Sequence, residues 1–164
     1  MSEVLGIIAA RGGSKRIPEK NLREVGGKPL LAHAVKDAKK AARIDDAIVS
    51  TENAEISEVA VEYGGRAPFE RPAELATDTA TTNEVVEHAL DWFEDRGETF
   101  DLVSSIPVTT PFRTPKDIDK AIDQLRSLDA SSVVSVTEFD PPPFWAVDHD
   151  KEGYLNPYFD DEYL

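Results

Sequence analysis

Apolar positions come in short blocks that follow two different periods. Val4 to Ala10 is a nearly unbroken apolar run of strand length, ended by Arg11-Gly12-Gly13. Leu30, Leu31, Ala34, Val35 and Ala38 then recur at helical spacing behind Pro29, whose missing N–H costs nothing in a first helical turn. Ala47 to Ser50 reads as a second strand. Ile56, Val59, Ala60 and Tyr63 outline a second helix, closed by Gly64-Gly65. Thr81 with Glu84 has the capping-box spacing ahead of Val85, Val86, Ala89, Leu90 and Phe93. Phe100 to Ile106 is a third strand. Thr114, Pro115 and Asp117 open another helix, with Ile118, Ala121, Ile122 and Leu125 facing inward. Ser132 to Thr137 reads as a fourth strand, stopped by Pro141-Pro142-Pro143.

Strands alternating with amphipathic helices predict an α/β fold: an open, mostly parallel sheet with helices on both faces, Rossmann-like in plan. No repeat, low-complexity tract or linker divides residues 1–164, so a single domain is expected. The rhythm changes after Asp140. Phe144 to Val147 and Tyr154 to Tyr158 read as short strands or loops around the turn Asp150-Lys151-Glu152-Gly153, and Trp145 as a core aromatic.

Charge narrows the choice of partners. The chain carries 32 acidic against 18 basic residues, a formal charge of -14, and no cysteine. Disulfides and cysteine-bound metals are excluded. The acids are dispersed (Asp37, Glu55, Glu87, Asp91, Asp123 among them) and read as solvated helix faces, a pattern that fits halophilic adaptation. Their sign argues against nucleic acid or an anionic membrane as partner. No apolar run approaches the ~20 residues of a membrane span, and the first residues lack a signal peptide's basic leader, so a cytoplasmic protein is expected. The exception to the acidity is Arg11, Lys15, Arg16, Lys20, Arg23 and Lys28. An acidic chain that gathers its cations in one stretch is expected to bind an anion there.

That stretch, Ile8-Ala-Ala-Arg-Gly-Gly-Ser-Lys-Arg-Ile-Pro-Glu-Lys-Asn21, follows the first strand, the position where open α/β sheets bind ligands. Gly12 and Gly13 allow close backbone approach and offer N–H donors, while Arg11 and Lys20 bring charge. It is not a Walker A loop, because Pro29 follows Lys28, and it lacks the dinucleotide G-x-G-x-x-G. The residues alone indicate a triphosphate-sized anion site; the bland alternative is a solvated basic loop. His33, His88 and His149 are scattered and read as packed or exposed, and Glu84 with Glu87 as helix solvation.

Arg11-x-Gly13-Ser14-Lys15, Lys20-Asn21 and Gly27-Lys28-Pro29-Leu30 resemble the opening signature of the acylneuraminate cytidylyltransferases, the CMP-sialic acid synthetases. Val49-Ser-Thr-Glu-Asn with Ile56-Ser-Glu-Val-Ala, Arg71-Pro through Asp78-Thr to Thr82, Thr110-Pro-Phe-Arg-Thr-Pro, and Ser132 to Trp145 resemble later family segments in the same order. The resemblance runs from about residue 4 to about residue 158. It implies a nucleotidyltransferase fold and attack of an acidic sugar's anomeric hydroxyl on the α-phosphate of CTP, with release of pyrophosphate. It further implies Mg²⁺ as cofactor and a homodimer in a longer chain.

By the same resemblance Arg11 and Lys20 act in catalysis. Ala10, Arg11, Gly13, Ser14, Lys20 and Asn21 hold the triphosphate and ribose, and Arg71 with Ala80 and Thr82 reads the cytosine. Sialic acid or a related nonulosonic acid is the expected sugar. A related enzyme for keto-deoxy octulosonate, or a nucleotide-binding protein without catalysis, stays open. Two departures bear on this. Pro107 stands where the family has a sugar-contacting glutamine, and proline offers no side-chain hydrogen bond. The family's metal-binding Asp-x-Asp and dimer-building segment has no match here, since Asp160-Asp161 lacks the spacing; the metal ligands stay unassigned, and CTP binding with poor turnover is expected.

Overall fold

The computed structural model describes residues 3–128, 130–138, 140 and 145–159. The chain packs as two compact units divided between Val133 and Val134, where the sequence suggests one domain.

In the first unit, β1 (Val4–Ala9) is the middle of a three-stranded parallel sheet, between β4 (Asp46–Ser50) and β5 (Leu102–Ser105). The register pairs Ile8 with Val49 and Ala9 with Ser50 on one side, and Leu5 with Val103 and Ile7 with Ser105 on the other. Before α1 (Leu30–Lys40) comes a small hairpin, β2 (Glu24–Val25) and β3 (Lys28–Pro29), turned by Gly26 and Gly27 at φ 60° and 75°. Two positive φ values in a two-residue loop are what glycine supplies at least cost. Pro29 therefore ends β3 and stands just before α1, one position earlier than its predicted place inside the helix.

The alternation along β1 decides which helix covers which face. Val4 and Ile8 join Val49 and Ile106 under α1, α2 (Ala54–Glu62) and α4 (Pro115–Ser127), with Leu31, Val35, Ile56, Ala60, Ile118 and Ile122 in that layer. Leu5, Ile7 and Ile48 point the other way, onto Ala89 and Phe93 of α3 (Thr82–Glu94). Helices thus cover both faces, as a parallel sheet requires. Phe93 is fully buried and meets Trp92 and Phe100 edge-on, each with centroids 5.1 Å apart. The predicted caps form: Thr81 and Glu84 make a reciprocal capping box, and the Thr114 N–H and hydroxyl both donate to Asp117, at 2.8 and 2.7 Å.

The predicted fourth strand does not form. Ser132–Thr137 carries no ladder, and Val134 and Val136 are 79% and 90% exposed. β-branched residues favour an extended backbone but do not supply a hydrogen-bonding neighbour, and a strand exists only as part of a pair.

The second unit contains the hairpin β6 (Val147–His149) and β7 (Leu155–Pro157), antiparallel with Asp148 opposite Asn156. Its turn is set by Asp150, whose carboxylate accepts from the N–H groups of Glu152 and Tyr154 at 3.0 and 2.9 Å. Trp145 is 64% exposed, contrary to its reading as a core aromatic; among the described residues this unit has only one two-stranded hairpin and no second layer in which to bury a ring.

Candidate functional site

All three strands of the parallel sheet run the same way, so Ala10, Thr51 and Ile106 leave it at one edge. The basic loop starts there. Ala10 is buried, and its N–H donates to the Ser50 carbonyl at 3.0 Å, tying the loop to the end of β4. The Gly12 N–H donates to Glu52 Oε1 at 2.7 Å. A Cβ on Gly12 would stand 2.8 Å from Asn53 Nδ2, and Asn53 cannot easily give way because its Oδ1 caps α2 through the Ile56 N–H at 3.0 Å. Gly13 is different: among the described residues nothing lies within 4 Å of its Cβ position, so none of them demands a glycine there. The Ser14 N–H turns back to the Gly12 carbonyl at 3.0 Å. Asn21, on the 3₁₀ turn Lys20–Leu22, is buried and donates from Nδ2 to the Arg11 carbonyl at 2.8 Å, closing the loop from behind.

The cations of the loop are not equivalent. Arg11, expected to hold a triphosphate, donates from Nη1 to the Thr77 carbonyl and from Nη2 to Asp78 Oδ1, both at 2.6 Å. The Lys15 ammonium takes the other Asp78 oxygen. Hydrogen bonds from Lys15 and Arg11 hold the Asp78 carboxyl below the usual range. Lys20 makes no ion pair among the described residues. The segment that carries Asp78 continues to the N-terminus of α3: the Ala80 N–H donates to Thr77 Oγ1 at 3.2 Å, Thr81 caps the helix, and Thr82 is its exposed first residue.

Arg71 lies deeper. Its side chain is 3% exposed, its N–H donates to the Thr51 carbonyl at 2.9 Å, and its Nη2 donates to Glu52 Oε2 at 2.9 Å. Burial pushes the Glu52 carboxyl up, but hydrogen bonds from Gly12 and from its own backbone, with Arg71 beside it, outweigh that and hold it below the usual range. Arg71 Nε and Ser50 Oγ have no partner. Buried polar groups are nearly always paired, so two such atoms, unpaired among the described residues where β4 ends and the 70–71 segment joins it, set this place apart from an ordinary packed interior.

The structure thus ties Ala10, Arg11, Gly13, Ser14, Lys20 and Asn21 into one loop, links Arg71 to it through Glu52, and links Ala80 to it through Thr77; Thr82, the exposed first residue of α3, makes no such bond among the described residues. Glu52 and Asp78 are absent from the sequence-derived candidates. Both lie within the family-like segments Val49–Asn53 and Arg71–Thr82, and a basic cluster needs counter-ions, but neither signal singles out these two carboxylates. Among the described residues no group of three or more His, Asp or Glu is placed to hold a metal ion, and Asp160-Asp161 lies outside them. Pro107 contributes its carbonyl, which accepts from Thr110 Oγ1 at 3.0 Å and Arg113 Nη1 at 3.2 Å. His33 is packed against the Val25 carbonyl at 2.8 Å and His88 edge-on to Phe69, in keeping with structural roles.

A family model described as cytidylyltransferase matches residues 5–142. The chain is 38% identical over 152 residues to CMP-N,N'-diacetyllegionaminic acid synthase of Legionella pneumophila, covering 93% of this chain and 65% of that protein. It is 34% identical over 138 residues to pseudaminic acid cytidylyltransferase of Campylobacter jejuni, covering 84% and 60% respectively. The chain therefore spans less than two thirds of the length of these relatives. Among solved structures, CMP:2-keto-3-deoxy-manno-octonic acid synthetase complexed with CTP superposes with a TM-score of 0.66 at 22% identity, covering 79% of this chain and 49% of that one. That likeness shows a shared fold.

Proposed function

The chain belongs to the cytidylyltransferase family, and from that premise we propose that it binds CTP at the β1 loop and transfers CMP to the anomeric hydroxyl of an acidic sugar. The observation that carries this reading is the meeting, at one sheet edge, of a cationic glycine loop with a buried arginine whose Nε lacks an acceptor. In the reaction the sugar oxygen bonds to the α-phosphorus, the bond to the β-phosphate breaks, pyrophosphate leaves, and the hydroxyl proton passes to solvent. Charge grows on the leaving phosphates, so fixed cations and N–H donors supply the stabilisation. Lys20 and the Gly13 N–H face that charge, and Asn21 keeps the loop in shape. Arg11 and Lys15 reach it when the nucleotide takes over from Asp78.

Arg71 recognises the base, and the Ala80–Thr82 stretch closes over the nucleoside. The relatives' names support a nonulosonic acid as the sugar. Magnesium fits this site as part of the nucleotide complex: Mg²⁺ is held largely by substrate phosphates with one or two carboxylates. Glu52 and Asp78, the carboxylates at hand, are already engaged by cations, so no protein-held cage is assigned. No helix among the described residues is long and apolar enough to cross a membrane; a cytoplasmic location is part of the proposal, because CTP is a cytoplasmic nucleotide.

The test is a pyrophosphate-release panel of CTP, UTP, ATP and GTP against acidic sugars with Mg²⁺. Slow release with CTP and a nonulosonic acid alone is expected. Release with another nucleotide would overturn the reading, and CTP binding without release in a chain extended to the relatives' length would favour a binding module.

A further inference from the structure

Glu52 carries no part of the proposed reaction, yet it is the hub of the site. One carboxylate oxygen accepts from the Gly12 N–H at 2.7 Å, and the other accepts from Arg71 Nη2 at 2.9 Å. Gly12 belongs to the anion loop, and Arg71 is the buried arginine with an unanswered Nε–H. The two partners lie 40 residues before and 19 residues after Glu52, so no local turn holds them together. The next residue, Asn53, caps α2 and stands against Gly12, so the backbone on which Glu52 sits is fixed at the start of a helix.

We propose that Glu52 is a specificity-determining positioning residue: by holding the Arg71 guanidinium and the Gly12 backbone on opposite oxygens of one carboxylate, it sets the arginine for cytosine at a fixed distance from the triphosphate. This rests on the reading of Arg71 given above. The chemistry follows from donor patterns. Cytosine offers two adjacent acceptors, N3 and O2, to a guanidinium, whereas uracil places an N3–H donor where one acceptor is required. An arginine in fixed orientation separates the two bases; one free to rotate meets O2 of either. Glutamine cannot replace the carboxylate. It has one acceptor oxygen, so either Gly12 or Arg71 would face its amide N–H groups. Aspartate keeps both acceptors and loses one methylene of reach.

The experiment measures dissociation constants for CTP and UTP by calorimetry for the intact chain, Glu52→Gln, Glu52→Asp and Lys20→Ala, with melting curves to establish folding. Lys20→Ala removes a base-blind contact, so both nucleotides should weaken by the same factor. Glu52→Gln should lose about tenfold or more in CTP affinity but much less for UTP, so that the CTP/UTP ratio collapses toward unity, and Glu52→Asp should restore part of it. Equal losses for both nucleotides in Glu52→Gln, as in Lys20→Ala, would overturn the proposal and leave Glu52 a structural residue. Should Glu52→Gln not melt cooperatively, Glu52→Asp is read the same way: a reduced ratio supports the proposal and an unchanged one overturns it. A parent chain with no preference for CTP would instead refute the proposed function, and this inference with it.

Discussion

Two adjacent glycines in the β1 loop should respond to the same substitution with opposite signs. In Gly12→Ala the new methyl meets Asn53 Nδ2 at 2.8 Å, Cβ at 3.1 Å and Cγ at 3.3 Å. Rotating the Asn53 amide away relieves only the first contact and gives up the α2 cap, worth about 1 kcal/mol. The contact with Cβ survives, so the loop must also shift, at the expense of part of the Gly12–Glu52 hydrogen bond, which is worth about 1.5–3 kcal/mol when intact. Reduced freedom of the unfolded chain returns about 0.4–1 kcal/mol. The net is a loss of about 1 kcal/mol, or a melting temperature lower by about 2–4 °C for a chain of this size.

Gly13→Ala meets no atom within 4 Å, and its φ lies outside the left-handed region. Only the unfolded-state gain remains, so the melting temperature should hold or rise by about 1–3 °C. Its methyl, however, stands where a phosphate must approach the backbone, and CTP affinity should fall by about tenfold or more. Scanning calorimetry and CTP titration of both variants check this. A Gly13→Ala chain that binds CTP like the parent would refute the reasoning, because the open space would then face no ligand. A Gly12→Ala chain as stable as the parent would refute the packing half.

Other outcomes follow from the same geometry. Asp78→Asn should tighten CTP binding, since it removes the carboxylate that competes with phosphate for Arg11 and Lys15; weaker binding by titration would mean that Asp78 orders the loop instead. Glu52 has a folded pKa below the ordinary glutamate value, so its stabilisation is complete above that value and fades as pH falls through the folded one. Melting temperatures taken from about pH 6 to about pH 3 should therefore fall more steeply for the parent than for Glu52→Gln, and parallel curves would contradict this. If the charge of -14 is a salt adaptation, stability should rise with KCl into the molar range, and a flat or falling melting temperature would count against it.

Where short-range chemistry decides structure, the sequence was easy to read. The nearly unbroken apolar run from Val4 to Ala10 correctly implied a buried strand, and Thr81-x-x-Glu84 a capped helix. Ser132–Thr137 has the composition of a strand as well, but composition says nothing about whether a neighbour is present. The site divides along the same line. Glycines, Lys20 and Asn21 stand in one contiguous loop and could be named from it. Glu52 and Asp78 act on that loop across 40 and 67 residues, and their surroundings in sequence are those of ordinary surface acids. Folding, by bringing β4 and the 77–80 segment beside the loop, gives them a role. Arg71 was named by resemblance alone; what folding adds is its burial and its ion pair with Glu52.

The central claim is that this sheet edge is a cytidine triphosphate site. Its most direct test is isothermal titration of the chain with CTP, UTP, ATP and GTP under one Mg²⁺ concentration. Saturable binding of one CTP, with UTP and both purine nucleotides weaker by about tenfold or more, is the predicted result. Equal affinity for all four, or no heat with CTP, would contradict it.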